Sequence, residues 1–324
     1  MPTVVFLSPH LDDAAFSCGG LMARLAEAGW HVVHATLFTA TVPDPSGFAL
    51  ECQLDKGIGE EVDYMALRRD EDHTFAERIG ASSIVHGPFP EAPHRGYSSA
   101  KALFGPVRGD DPVLEPLCDY LRTLLQSHDP NLLVAPQAIG GHVDHVQLVN
   151  AVSRVASLHP CPPVVWYRDA PYVIEHPCTD SPFSHISELD PIAISVGPVL
   201  QRKLSGAAAY ASQLELQFAR RFSDRDWGPS NFRPDGDRQE SCDHQRNRRE
   251  NREEGEIAMR RALSHFAFEE AQRTEGSTDG DTGDASPRDR SPLYDADLSA
   301  AERFRGDADA AETLKAFVLG SKSA

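Results

Sequence analysis

The chain has 324 residues, room for one large α/β domain with appendages or for two small domains, and 40% of it is hydrophobic. Its 49 acidic against 31 basic residues leave a net charge of −18, which repels phosphate backbones and excludes nucleic acid as an expected partner. The 6 cysteines (Cys18, Cys52, Cys118, Cys161, Cys178, Cys242) form no C-x-x-C pair, so the expectation is a reducing, cytoplasmic setting without a thiolate zinc site or a disulfide framework.

Val4-Val5-Phe6-Leu7 is a continuous apolar run, the pattern of a short strand buried on both faces. It is too short for a signal-peptide core, and no later stretch approaches a transmembrane length, so no membrane partner is expected. A helix is expected from about Gly19 to Ala28 with Gly29 as its stop, then a strand over His31 to Leu37. Phe38 to Glu60, rich in Pro, Gly and Asp, reads as a long loop of the kind that forms lids. Val62 to Ile79 has helical period and ends at Gly80; Ser83 to Val85 is a strand, and Pro90 to Gly109 is again loop. Asp111-Pro112 starts a helix towards Gln126, Leu132 to Ala135 is a buried strand, and a helix follows from about Asp144 to Leu158. Val164 to Tyr167 and Ile192 to Val196 are further strands, the second followed by a helix from about Pro198 to Phe218. Strands alternating with helices predict an α/β fold, a doubly wound, mostly parallel sheet with helices on both faces.

From about Asp224 the composition turns polar. The expected division is a catalytic unit over 1–223 and an acidic extension over 224–324, with helices at Ile257 to Ala271 and Leu298 to Leu319 and a disordered stretch between Thr274 and Arg290.

Two motifs follow strand ends, where open α/β sheets bind ligands. They are Pro9-His10-Leu11-Asp12-Asp13 and His142-Val143-Asp144-His145. Catalytic zinc commonly takes three N/O ligands and keeps a fourth position open. His10, one aspartate of the Asp12-Asp13 pair and His145 supply such a set, and the other aspartate is then free to deprotonate the attacking water. His142 and His145, three apart at a helix start, can face one side, with Asp144 between them to hold an imidazole N–H. A lone His beside an Asp is ordinarily a capped turn; two such clusters at two strand ends are not explained that way.

Other residues read as structural. Gly19-Gly20 lacks the spacing of a phosphate loop, Cys18 reads as a small buried residue, and His31 and His34 have no evident carboxylate partner. Asp110-Asp111 reads as a helix cap, and Arg68 with Asp72 as a pair on a solvated helix face.

The chain resembles the PIG-L/LmbE-like family of zinc-dependent N-deacetylases. Ser8-Pro9-His10-Leu11-Asp12-Asp13-Ala14-Ala15 with Ser17-Cys18-Gly19-Gly20 matches its first signature and His142-Val143-Asp144-His145 its second. Leu67-Arg68-Arg69-Asp70-Glu71 resembles its R-x-x-E helix, and Lys203 with Tyr210, Ser212 and Gln213 a pattern near its C-terminal helix. The resemblance spans roughly Thr3 to Phe218. It implies a Rossmann-like sheet and one Zn²⁺ per chain, or another divalent ion, held by His10, Asp13 and His145. It makes Asp12 the general base, and His142, backed by Asp144, the oxyanion stabiliser or general acid. Arg68 would contact the substrate. The implied activity is hydrolysis of the N-acetyl group of an N-acetylglucosamine-type sugar or glycoconjugate. Competing readings are an amidase of a larger amide or thiol conjugate and a non-catalytic sugar-binding protein. Some members place an oxyanion tyrosine where this chain has Gly140.

Overall fold

The run at Val4–Leu7 is fully buried, and its side chains alternate between two apolar layers, Val4 and Phe6 on one face, Val5 and Leu7 on the other. Burial of such a side chain stabilises by about 1.5–3 kcal/mol. The computed structural model describes residues 1–222, 244–275 and 300–319. Its elements run β1 (Thr3–Ser8), α1 (Asp13–Glu27), β2 (His31–Thr36), α2 (Gly47–Leu54), α3 (Tyr64–Ile79), β3 (Ser83–His86), α4 (Ala100–Leu103), α5 (Leu114–His128), β4 (Leu132–Pro136) and α6 (Val143–Leu158). They continue with β5 (Val164–Tyr167), α7 (Tyr172–Glu175), α8 (Ser184–Ser187), β6 (Asp190–Ser195), α9 (Leu200–Ala207), α10 (Ala211–Leu214), α11 (His244–Glu275), β7 (Ala301–Gly306) and α12 (Ala308–Leu319).

One seven-stranded sheet has the order β3-β2-β1-β4-β5-β7-β6. The first five strands are parallel, with Phe6 opposite His34 in β2 and Val134 in β4. The last two join antiparallel. The expected α/β, Rossmann-like, mostly parallel architecture is the one observed. α1, α3 and α9 cover one face, while α5 and α6 cover the other. The chain runs outward from β1 through β2 to β3, then returns to lay β4 and β5 on the other side. The strand order therefore reverses between β1 and β4, where such sheets hold their ligands.

Several elements differ from expectation. α1 begins at Asp13 and kinks at Cys18 (φ −131, ψ 19), so the expected helix from Gly19 is only its second segment. The long loop over 38–60 carries α2, held by the buried Gln53, whose amide donates to the carbonyls of Gly59 and Val62. The 90–109 loop contains a 3-10 turn at Ala92–Arg95 and α4. The helix expected over 198–218 breaks into α9, α10 and a π-helical turn at Glu215–Arg220. The helix expected over Leu298–Leu319 starts only at Ala308: Ala301–Gly306 alternates buried and half-buried residues and is β7, inserted between β5 and β6. The helix expected over 257–271 lies inside α11, and most of the stretch expected to be disordered lies outside the described residues, as does Cys242. The five described cysteines are free. Among the described residues no helix is long and apolar enough to cross a membrane.

Candidate active site

Both motifs sit at the strand-order reversal. β1 ends at Ser8, whose hydroxyl donates to the His10 carbonyl and accepts the Ala14 N–H, turning the chain so that Asp13 opens α1. β4 ends at Pro136, and a tight loop through Gly140 and Gly141, both at positive φ, brings His142 to the N-terminus of α6.

His10, Asp13 and His145 converge. Asp13 Oδ2 lies 3.2 Å from His10 Nδ1 and 3.1 Å from His145 Nε2. Two ligands on a tetrahedral ion at zinc bond lengths are about 3.3 Å apart, so the three atoms are spaced as a ligand set would be. Apart from the Asp13 carboxylate at 3.1 Å, the buried His145 Nε2 has no polar partner among the described residues, a state that a bound ion would relieve. Ring nitrogens of His10, His142 and His145 also fall within 4.8 Å of one another, a second group able to hold a metal. The residues present thus fit a divalent ion.

The supports differ from those expected. Asp144 does not back His142. Its Oδ2 accepts from His10 Nε2 at 2.9 Å and from the Ala92 N–H at 3.0 Å, and its Oδ1 accepts from Arg95 at 2.7 Å. Asp144 therefore fixes the ring of His10 and leaves Nδ1 facing Asp13. His145 is oriented by a residue the sequence reading missed: Asp169 accepts from His145 Nδ1 at 2.8 Å and from the backbone N–H groups of Gln137 and Ile139. Asp169 lies just past the end of β5, the same signal that exposed the other motifs, but it has no histidine beside it in the sequence. His142 Nδ1 accepts the Asp144 N–H at 3.2 Å, which places the proton of a neutral ring on Nε2. Burial, then the neighbouring His10, lower the His142 pKa to about 3.

Asp12 is buried and receives Arg68 Nη2 at 3.3 Å. Burial pushes its carboxyl up to about 6, against the pull of Arg68. Burial opposes ionisation of Asp13 too, yet the imidazoles of His145 and His10 hold it well below the usual carboxylate range. The two adjacent aspartates are thus driven apart, the separation expected of a ligand and a base. Arg68 is not on a solvated face. It is 4% exposed, packs over the Tyr64 ring, and donates to Glu91 at 2.5 Å as well as to Asp12. Asp72 does not pair with it; Asp72 receives His34, His86 and the Tyr210 hydroxyl, so His34 has a carboxylate partner that is not evident in the sequence. The pattern after Lys203 clamps the same helix: Tyr210 reaches Asp72, Ser212 reaches Glu71, and Gln213 reaches Tyr64. Asp111 is not the cap of α5, whose N-cap is Val113; it accepts the Val113 N–H at 3.3 Å and chiefly holds Arg95.

No side chain fits at Gly140, because a Cβ there would lie 2.5 Å from Tyr172 Cγ. The ring of Tyr172, arriving from α7, occupies that space, and its centroid is 5.9 Å from that of His145.

Comparison with known proteins agrees with this geometry. Residues 5–156 match the family model PIG-L, described as GlcNAc-PI de-N-acetylase. The chain is 30% identical over 233 residues to a 2'-N-acetylparomamine deacetylase of Streptomyces fradiae, covering 69% of this chain and 80% of that one. The chain belongs to the PIG-L family of de-N-acetylases. Among solved structures, a triple mutant of the deacetylase Orf2 from teicoplanin biosynthesis is 26% identical, with TM-score 0.55 over 65% of this chain and 83% of that one. The zinc-inhibited form of teicoplanin deacetylase Orf2, at 20% identity, shares the fold with TM-score 0.64 over 94% of this chain and 97% of that one. The expected activity, a hydrolase that removes N-acetyl groups from amino-sugar compounds, is that of the family and these relatives.

Proposed function

We propose that this chain deacetylates an N-acetylated amino sugar that carries further free amines, using one zinc ion held by His10, Asp13 and His145. The observation that carries the reading is the meeting of Asp13 with two imidazoles beside a separately held Asp12. Bound there, zinc supplies Lewis acidity to the acetyl carbonyl and to the attacking water. Asp12, with its pKa raised towards the working pH, takes the water's proton. His142, neutral and protonated on Nε2, donates a hydrogen bond to the oxygen on which charge develops. Arg68, anchored by Glu91, keeps Asp12 in place and fixes one wall of the site. Asp144 and Asp169 each orient one imidazole.

The neighbouring cavity and the relatives support this substrate class. A cavity of about 380 Å³ opens between the 41–65 segment and Glu91, and Asp44, Glu60, Glu61 and Asp63 line it. Glu91 joins it to the site through Arg68 and Asp12. Carboxylates there attract ammonium groups, and the paromamine named for the Streptomyces fradiae relative is an amine. The 1–223 portion carries all the proposed ligands, and the 224–324 extension supplies a strand of the sheet.

The test is release of free amine from paired N-acetyl amino sugars that differ only in additional free amines. The amine-bearing compounds should react with kcat/KM higher by about tenfold or more, the worth of one charge-assisted contact. Equal rates would remove the acidic cavity from substrate recognition, and preferential cleavage of a larger amide conjugate would turn the reading towards an amidase.

A further inference from the structure

The helix that carries Asp12 and Asp13 is tied to the far end of the chain. Glu302 of β7 is 4% exposed, and its carboxylate accepts the backbone N–H groups of Gly20 at 2.9 Å and Leu21 at 2.8 Å. Lys203 of α9, 3% exposed, donates to the same carboxylate at 2.6 Å and approaches the Ser17 carbonyl at 3.5 Å. These groups surround the kink at Cys18. Beyond the kink, the second segment of α1 presents N–H groups as a helix N-terminus does, and Glu302 satisfies them as a capping carboxylate. Contact is close enough that a Cβ on Gly20 would lie 2.7 Å from Glu302 Oε1 and 2.7 Å from Val196 Cγ1.

The first segment of α1, from Asp13 to the kink, is little more than one turn. Asp13 stands at its start. At its end, the Ser17 hydroxyl accepts the Ala170 N–H at 3.0 Å, next to Asp169, which orients His145. Two members of the proposed ligand set thus take their positions from this one turn, and Glu302 with Lys203 fixes its lower end.

We propose that Glu302 is a positioning residue of the active site, acting through the kink of α1 on Asp13 and through Ser17 and Asp169 on His145. The inference rests on the ligand set proposed above. It makes the C-terminal strand part of the metal site's support although no ligand lies in it. A chain ended near Asp224 would keep every proposed ligand and lose this clamp.

The full-length chain is compared with Glu302→Gln, Glu302→Ala and Glu270→Ala. Glu270 is a second buried carboxylate bound to β7, through Arg303, and it also receives Arg168. Zinc affinity is read by competition with a chromophoric chelator, alongside thermal midpoints. Glu302→Ala should weaken zinc by about 10- to 100-fold, the effect of losing a group that orients ligands, with Glu302→Gln in between. Glu270→Ala should lose thermal stability but keep zinc affinity within about twofold. On an N-acetyl amino sugar, kcat should fall in the Glu302 variants with KM little changed. In metal-free protein, amide exchange over Asp13–Gly19 should quicken in the Glu302 variants and not in Glu270→Ala. Unchanged zinc affinity in Glu302→Ala, or equal losses in Glu302→Ala and Glu270→Ala, would overturn the proposal. Wild-type protein that takes up no zinc would instead refute the ligand set, and the exchange comparison would then decide the role of Glu302.

Discussion

The five parallel strands and the antiparallel pair β6–β7 are held by different forces. β1 and β4 are apolar runs covered on both faces, and their pairing needs no charge. β7 alternates, and its charged residues are tied one by one: Glu302 to Lys203, Arg303 to Glu270, and Arg305 to Asp180 and the Leu189 carbonyl. The parallel part positions chemistry by topology, since every crossover returns to the same edge and the strand-order reversal opens a crevice there. The antiparallel edge positions it by directed contacts from sequence-distant residues. The lesson is that these directed ties add to an apolar core that both regions share, so their loss should be selective.

The largest test of this contrast lies in the parallel half, where two adjacent carboxylates have different tasks. Asp13→Ala should remove both metal and activity, because the remaining imidazole pair holds zinc poorly. Asp12→Asn should keep the metal and lower kcat by about two to four orders of magnitude, the range for a positioned base. Metal analysis with steady-state kinetics on both variants checks this, and metal loss in Asp12→Asn with retention in Asp13→Ala would exchange the roles.

A smaller effect is expected at the edge. Glu270 is fully buried and receives Arg168 at 3.0 Å. Glu270→Ala takes a buried acceptor from the part-buried Arg168 and Arg303 and should destabilise the fold by about 2 kcal/mol, measured by denaturant unfolding. If the loss were near that of an exposed pair, the antiparallel edge would rest on its hydrogen-bond ladder and not on its charges.

The smallest effect concerns pH. Burial opposes ionisation of Asp72, but the imidazoles of His34 and His86 and the Tyr210 hydroxyl win, and its pKa is depressed. A carboxyl with a folded pKa below its unfolded one stabilises fully above the unfolded value and loses that contribution as pH falls through the folded one. Thermal midpoints from about pH 5 down to about pH 2 should therefore fall less steeply in Asp72→Asn than in wild type. Equal slopes would show that the cluster is not an acid-sensitive tie between α3 and the sheet.

How legible the site was depended on sequence distance. His10, Asp12, Asp13, His142, Asp144 and His145 lie in two short motifs past strand ends, and the structure brings all of them together. Asp169, Glu91 and Arg95 were not legible, because each reaches its partner across the fold and none sits in a His–Asp cluster like the two motifs. Asp144 was read as a support but assigned to His142. Residues adjacent in a helix start need not face each other, and its carboxylate turns to His10.

The sequence by itself determined the parallel strands, the helices between them and the two metal-type motifs, because apolar period and strand-end placement are local properties. Only the tertiary structure decided that Asp169 orients His145, that Tyr172 fills the space at Gly140, and that Ala301–Gly306 is a strand. The reason is physical: an alternating segment with charged residues on it becomes a strand only when another strand offers its free N–H and C=O groups, and a carboxylate becomes a support only when folding brings a histidine to it.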